Sequence, residues 1–327
     1  MTSTWLVTGG AGYIGAHVVQ AMTRAGRRVV VVDDLSTGSP TRLPAGVPLE
    51  TCSVLDTATL AAVMTRYDVT GVIHLAAKKA VGESVDLPLY YYDQNVRGTA
   101  SLLEAMRATG VRNLVFSSSA AVYGVPPAGL VTESTPTLPI NPYGTTKLVC
   151  EWLIRDAAAA QGLSWLSLRY FNVCGAGSPL LGDPGTANLL QLTLQALTRD
   201  VRPKVFGDDH PTPDGTCIRD YIHVADLADA HLAAVEALLD RDGLADYYNV
   251  GTGEGASVRD VVMAAQHITG IHLPYEVVAG RAIDPPEVVA DPARIMAELG
   301  WKAQHGLHEM IESAWAAYHP APAAATA

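Results

Sequence analysis

The sequence predicts an α/β protein: a doubly wound parallel sheet with a second, smaller α/β lobe. Three observations carry that expectation. Short, mainly apolar runs alternate with stretches of helical period through the first half, a glycine-rich turn follows the first run, and two aspartates close the second. Strands buried on both faces need runs apolar along their whole length, and strand–helix alternation is the pattern of crossover units. The strand segments are Trp5 to Thr8, Val29 to Val32, Val72 to Ala76, Leu114 to Ser118 and Trp165 to Phe171. Between them, His17 to Ala25, Thr57 to Thr65, Thr99 to Thr109 and Pro142 to Gln161 carry helical periodicity. From about Cys174 to Asp220 the texture turns to Gly, Pro, Asp and Thr, broken by a helical stretch near Asn188 to Arg199. A helix from Val224 to Leu239 and a strand at Tyr247 to Val250 then return to the first domain.

The 327 residues are 49% hydrophobic and 17% charged, enough for a packed core and too little charge for a disordered chain. A net charge of −11 disfavours nucleic acid and anionic membrane as partners. No run reaches the roughly 18 apolar residues a spanning helix needs, and the start has no basic segment before a long apolar one, so a cytoplasmic protein is expected. Cys52, Cys150, Cys174 and Cys217 are scattered without Cys-x-x-Cys spacing, which predicts reduced, structural thiols. Ten histidines show no His-Glu-x-x-His pattern, and no metal is expected. Asp208, Asp209, His210 and Asp214, clustered in a Pro/Gly-rich loop, are expected to face solvent.

Directly after the first strand comes Thr8-Gly9-Gly10-Ala11-Gly12-Tyr13-Ile14-Gly15. Glycines at 9, 12 and 15 let the backbone turn tightly, let a pyrophosphate approach main-chain N–H groups at a helix start, and let helix and strand pack closely. The second strand ends in Asp33-Asp34, near the position where a carboxylate accepts from ribose hydroxyls and repels a 2′-phosphate. The cofactor expected is NAD rather than NADP.

Tyr143 and Lys147 stand four residues apart, on one helical face. Ser119 follows the strand that begins at Leu114, where an open sheet presents ligand-contacting groups. A phenol with a reference pKa of about 10 is a poor base near neutrality. A neighbouring lysine ammonium and a cationic nicotinamide would favour its phenolate and make Tyr143 a proton acceptor, while Ser119 steers the same substrate oxygen.

The glycine turn, Ser119 and Tyr143-x-x-x-Lys147 resemble the extended short-chain dehydrogenase/reductase family, whose first domain has the Rossmann fold. Longer blocks are similar to the nucleotide-sugar 4-epimerases within it, which interconvert UDP-glucose and UDP-galactose. They are Lys79-Ala-Val-Gly-Glu-Ser-Val85, Tyr91-Tyr-Asp-Gln-Asn-Val96, Ser117-Ser-Ser-Ala-Ala-Val-Tyr-Gly124, Asn141-Pro-Tyr-Gly144, Arg169-Tyr-Phe-Asn172 and the stretch from Arg219 to Asp229. The resemblance runs from about residue 4 to about 315. It implies tightly held NAD and a redox cycle without net oxidation. Tyr143 takes the sugar 4-hydroxyl proton as hydride leaves C4, and the 4-keto sugar rotates and is reduced on its other face.

Matching positions imply cofactor contacts from Gly9, Gly12, Tyr13, Ile14, Gly15, Asp33, Ser53, Val54, Ala76, Lys79, Asn95, Lys147 and Phe171. They imply UDP-hexose contacts from Ser119, Tyr143, Asn172, Asn188, Leu189, Phe206, Arg219, Arg281, Asp284 and Val288. The two arginines offer guanidinium forks to a diphosphate in an acidic protein. Family members often carry an Asp where this chain reads Thr51-Cys52-Ser53-Val54, so Ser53 is expected to meet the adenine. Ile283 replaces a usual glycine beside Arg281. Val288 stands where some members have a tyrosine, leaving room for an N-acetyl group. A dehydratase of the same family would need an acid and base where this chain has Ala120-Ala121; a decarboxylase or reductase shares the tyrosine, lysine and serine.

The expected division is a dinucleotide-binding domain over 1–175 with a return segment at about 221–252, a substrate lobe from 176–220 and 253–319, and a flexible tail at 320–327. A homodimer is implied through the helices near Thr99 to Thr109 and Pro142 to Gln161.

Overall fold

The computed structural model describes residues 3–127, 129–185, 188–240, 243–244, 246–280 and 284–318. Arg281, Ile283 and the tail 320–327 lie outside the described residues. The strands are β1 (Thr4–Thr8), β2 (Arg28–Asp33), β3 (Leu49–Thr51), β4 (Val69–His74), β5 (Asn113–Ser117), β6 (Ser164–Tyr170), β7 (Asn172–Cys174), β8 (Lys204–Phe206), β9 (Ile218–His223), β10 (Tyr247–Val250), β11 (Gly255–Ser257), β12 (Glu276–Val278) and β13 (Glu287–Val288). The helices are α1 (Tyr13–Arg24), α2 (Thr57–Arg66), α3 (Val81–Asp86), α4 (Pro88–Tyr91), α5 (Gly98–Thr109), α6 (Pro142–Gln161), α7 (Leu189–Thr198), α8 (Val224–Asp240), α9 (Val258–Thr269), α10 (Ala293–Leu299) and α11 (Leu307–Tyr318).

Seven parallel strands form the main sheet in the order β10-β6-β5-β4-β1-β2-β3. This is the doubly wound sheet the strand runs predict. Because side chains alternate along a strand, each run feeds two cores. Trp5, Val7, Val29 and Val31 pack with α1 and α8, whereas Leu6, Val30, Val32 and Val72 pack with α2, α5 and α6. Trp5 lies flat over the neighbouring strand only because Gly71 has no side chain; a Cβ there would sit 2.6 Å from the indole. The chain winds one way from β1 through β2 to β3, then crosses to β4 and winds the other way. The reversal between β1 and β4 opens a crevice at the carboxyl ends of those strands.

Two smaller sheets lie outside the main one: β11-β9-β13 with β7 beside β9, and the pair β12-β8. Helices α7, α9 and α11 join them around Leu190, Leu194, Leu197, Val261, Met310 and Ile311. The sequence shows little of this region, because apart from β9 its strands have two or three residues and leave no alternation to read. It also misses the edge strand β3 and the helices from Val81 to Tyr91, which are short and divided at Pro88. Helix α1 starts at Tyr13, directly after its N-cap Gly12, four residues ahead of the apolar periodicity.

Candidate active site

The glycine turn closes on itself. Gly9 adopts φ +70°, the left-handed region, and its N–H donates to Val32 O at 2.8 Å. A Cβ on Gly9 would stand 2.8 Å from Ala76 N, and one on Gly15 would collide with the Gly9 carbonyl oxygen. Gly12 caps α1 without a side chain, and the first turn holds no acidic residue. The leading N–H groups of α1, including that of Ile14, and the positive end of its dipole therefore suit a phosphate. These observations fit a dinucleotide.

Asp33 braces this cradle. Its Oδ2 accepts from Ala11 N at 2.9 Å and its Oδ1 from Leu35 N at 2.8 Å. Burial raises its pKa and the two backbone bonds oppose the rise. Each oxygen keeps a second lone pair for a ribose hydroxyl. Tyr13 donates its phenol to Gly175 O at 2.6 Å, so it offers a ligand its backbone N–H and not its ring hydroxyl. Lys79 Nζ lies 5.8 Å over the Tyr13 ring. Ser53 Oγ accepts from Leu55 N at 3.2 Å and keeps its own proton to donate, while Val54 packs against Gly98.

Asn95 is bonded on both sides within the protein. Its Oδ1 accepts from Lys78 N at 2.8 Å, and its Nδ2 donates to Lys78 O and Thr146 Oγ1, each at 3.0 Å. The side chain fastens the segment after β4, which carries Ala76 and Lys79, to α6. Lys78 itself went unread in the sequence, although the doubled lysine was a signal; its amine donates to Ser36 Oγ at 3.1 Å, beside Asp34. His74 was missed as well. It bridges Thr8 Oγ1 at 2.7 Å and Thr99 Oγ1 at 3.2 Å, and burial, with Lys147's charge, pushes it down to about 3.

Asn141 caps α6, accepting from Gly144 N at 2.9 Å, with Pro142 at the first helical position. The cap sets Tyr143 in the first turn and Lys147 in the next, both buried. Ser119 ends β5's extension and caps the turn Ala120–Tyr123, accepting from Ala121 N at 3.2 Å. Burial raises Tyr143 above its ordinary value, and the neighbouring Ser119 hydroxyl opposes the rise. Lys147 Nζ donates to Ser117 O at 2.7 Å and lies 5.0 Å from the Phe116 ring centre. The lysine is committed to a backbone carbonyl and is itself pushed down by burial to about 8.

On the other wall, Phe171 follows β6 and packs with Tyr123, Leu148 and Val288. Val288 is the register partner of Arg219, and Asn172 of Tyr221. Arg219 and Asp284, 65 positions apart, form an ion pair, and Arg219 Nη1 also donates to Ile218 O at 2.8 Å. Asn188 is the N-cap of α7, accepting from Gln191 N at 2.8 Å and donating to Asp183 Oδ2 at 2.6 Å; Leu189 begins that helix. Phe206 closes β8 opposite Val278 and is 39% exposed. Asp214, expected to face solvent, instead accepts from Thr216 and Ser257. Among the described residues no group of three or more His, Cys, Asp or Glu could hold a metal ion.

Residues 5–251 match the NAD dependent epimerase/dehydratase family. The chain is 46% identical over 304 residues to the UDP-glucose 4-epimerase of Azospirillum brasilense, covering 92% of this chain and 87% of that protein. It is 43% identical to the Bacillus subtilis UDP-glucose 4-epimerase, covering 95% of each. The crystal structure of the Brucella ovis UDP-glucose 4-epimerase in complex with NAD superposes with a TM-score of 0.91 at 44% identity, covering 96% of this chain and 97% of that one. The Bifidobacterium longum enzyme, in complex with NAD+ and UDP, gives 0.90 at 39% identity, covering 97% and 99%. The likeness runs along nearly the whole length of these proteins, and the chain belongs to the NAD-dependent epimerase/dehydratase family.

Proposed function

We propose that the protein is a UDP-glucose 4-epimerase that works through bound NAD. One observation carries the reading: a buried tyrosine beside Ser119, one turn from a buried lysine, stands at the carboxyl edge of the sheet that bears a glycine cradle. NAD, when bound, supplies a hydride acceptor and donor together with a fixed positive charge. Tyr143 Oη takes the proton of the sugar 4-hydroxyl and later returns it. Ser119 Oγ bonds the same oxygen and orients it. Lys147 holds the Ser117 carbonyl, fixing the end of β5 against α6, and adds positive charge to the pocket. Ala120 and Ala121 form the turn behind Ser119 and have no proton to exchange, which disfavours dehydration.

Incubated with either UDP-glucose or UDP-galactose and no added oxidant, the protein is expected to yield the same equilibrium mixture, read by chromatography. No interconversion from either sugar rejects the proposal.

We assign cofactor contacts to Gly9, Gly12, Tyr13 through its backbone, Ile14, Gly15, Asp33, Ser53, Val54, Ala76, Lys79, Asn95, Lys147 and Phe171, and UDP-hexose contacts to Asn172, Asn188, Leu189, Phe206, Arg219 and Asp284. The corresponding division is 1–175 with 221–252 for the dinucleotide, and 176–220 with 253–319 for the sugar nucleotide. Val288 packs on Phe171, and its small side chain supports turnover of UDP-N-acetylglucosamine as well. Val288→Tyr is expected to lower the N-acetyl activity more than the hexose activity; an unchanged ratio removes Val288 from the sugar pocket.

A homodimer is supported by apolar side chains left in solvent on α6 and on the segment packed against it. Trp152 is 46% exposed and Leu89 82%, with Val85 and Tyr92 nearby. The outward residues of α5, Glu104 and Arg107, are charged, which moves the contact from α5 toward residues 85–92. Light scattering is expected to give twice the chain mass of 34.5 kDa. Four free thiols suit a reducing compartment and support a cytoplasmic location.

A further inference from the structure

Behind the reacting groups lies a buried polar network that the proposed reaction does not use. Glu151, one turn beyond Lys147 on α6, is wholly buried. Its Oε1 accepts from Ser118 Oγ at 2.6 Å and from Arg169 Nε at 2.9 Å, and its Oε2 accepts from Arg169 Nη2 at 2.6 Å. Arg169 Nη1 donates to Tyr123 OH at 3.1 Å, and Tyr123 donates to Asn249 Oδ1 at 2.7 Å. One carboxylate thereby ties α6 to the end of β5, to β6, to the turn behind Ser119 and, through Tyr123, to β10. Ser118 sits between Ser117, whose carbonyl holds Lys147, and Ser119, which stands beside Tyr143.

We propose that Glu151, clamped by Arg169 and Ser118, is a positioning residue for the epimerisation, keeping Ser117 O and Ser119 Oγ aligned with Lys147 and Tyr143. The inference rests on the function proposed above. A buried ion pair is a poor source of stability compared with apolar side chains of similar volume, so its presence here calls for another role. The titratable groups around Lys147 are Tyr143, Cys150 and Glu151 on α6 and His74 on β4, with Arg169 on β6 beyond Glu151. Burial holds Cys150 up at about 11 and His74 down at about 3, so both are neutral near pH 7. Glu151 is then the charge that, among the described residues, helps Lys147 keep its proton against burial.

Two variants test this. Glu151→Gln keeps the shape but strands the Arg169 charge; Glu151→Leu with Arg169→Met removes both charges together and guards against misfolding of the first. Both are expected to lower kcat roughly 10-fold or more with KM little changed, and to move the alkaline limb of the kcat/KM profile to lower pH. A second readout is independent of turnover. With only Lys78, Lys79, Lys147, Lys204 and Lys302 in the chain, 13Cε-lysine NMR follows Lys147 directly, and its titration is expected at lower pH in both variants than in the wild type. A double variant with wild-type kcat and wild-type Lys147 titration overturns the proposal and leaves the network a scaffold only. Should the wild type epimerise neither hexose, the proposed function fails, while the lysine titration still decides whether Glu151 governs Lys147.

Discussion

Tyr143→Phe is expected to lower kcat by at least about 100-fold, the smaller end of what a positioned general base contributes. The ring is buried in the first turn of α6, and phenylalanine preserves that packing. What disappears is the hydroxyl that stands beside Ser119 and that burial holds above its ordinary pKa. The variant should therefore fold, retain its NAD and bind UDP-hexose, yet lack the atom that takes the 4-hydroxyl proton. Circular dichroism and bound-NAD content separate this outcome from simple unfolding. Turnover near the wild-type value would remove Tyr143 from the mechanism.

Gly15→Ala is expected to yield protein without NAD. The added methyl would strike the Gly9 carbonyl oxygen and approach Gly10 Cα to 2.7 Å, and both obstacles are backbone. Gly9 cannot retreat, because its N–H is bonded to Val32 O and its α-carbon abuts the main chain at Ala76. Overpacking of this kind costs about 1–3 kcal/mol, and relief requires the turn to open where a pyrophosphate would lie. At Gly12 an added methyl meets only the Gly9 oxygen, at 3.2 Å, so Gly12→Ala should be the milder substitution. Acid precipitation followed by chromatography of the released nucleotide measures both. Stoichiometric NAD in Gly15→Ala would overturn the packing argument.

The main sheet was readable because parallel strands covered on both faces write themselves as unbroken apolar runs, as Trp5-Leu6-Val7 and Val29 to Val32 do. Tyr143, Lys147 and Ser119 were readable because helical spacing and a strand end place them without knowledge of distant segments. Partnership across the chain was not. Nothing local says that Arg219 pairs with Asp284, that Asn95 spends its hydrogen bonds on Lys78 and Thr146, or that Asn188 caps a helix and holds Asp183. Glu151 escaped notice for the same reason: an acidic residue in mid-helix looks solvated until Arg169, on another strand, is seen to cover it. The proton affinities of Tyr143 and Lys147 also depend on burial, which spacing cannot reveal.

The fastening of Lys78 to Thr146 by Asn95 has a kinetic corollary. Loosening the segment beside which a coenzyme would sit means breaking these bonds, and breaking them would disturb the first turns of the helix that bears the phenol. Exchange with the surrounding pool should then be slow compared with turnover, so that the same dinucleotide serves cycle after cycle in the manner of a prosthetic group.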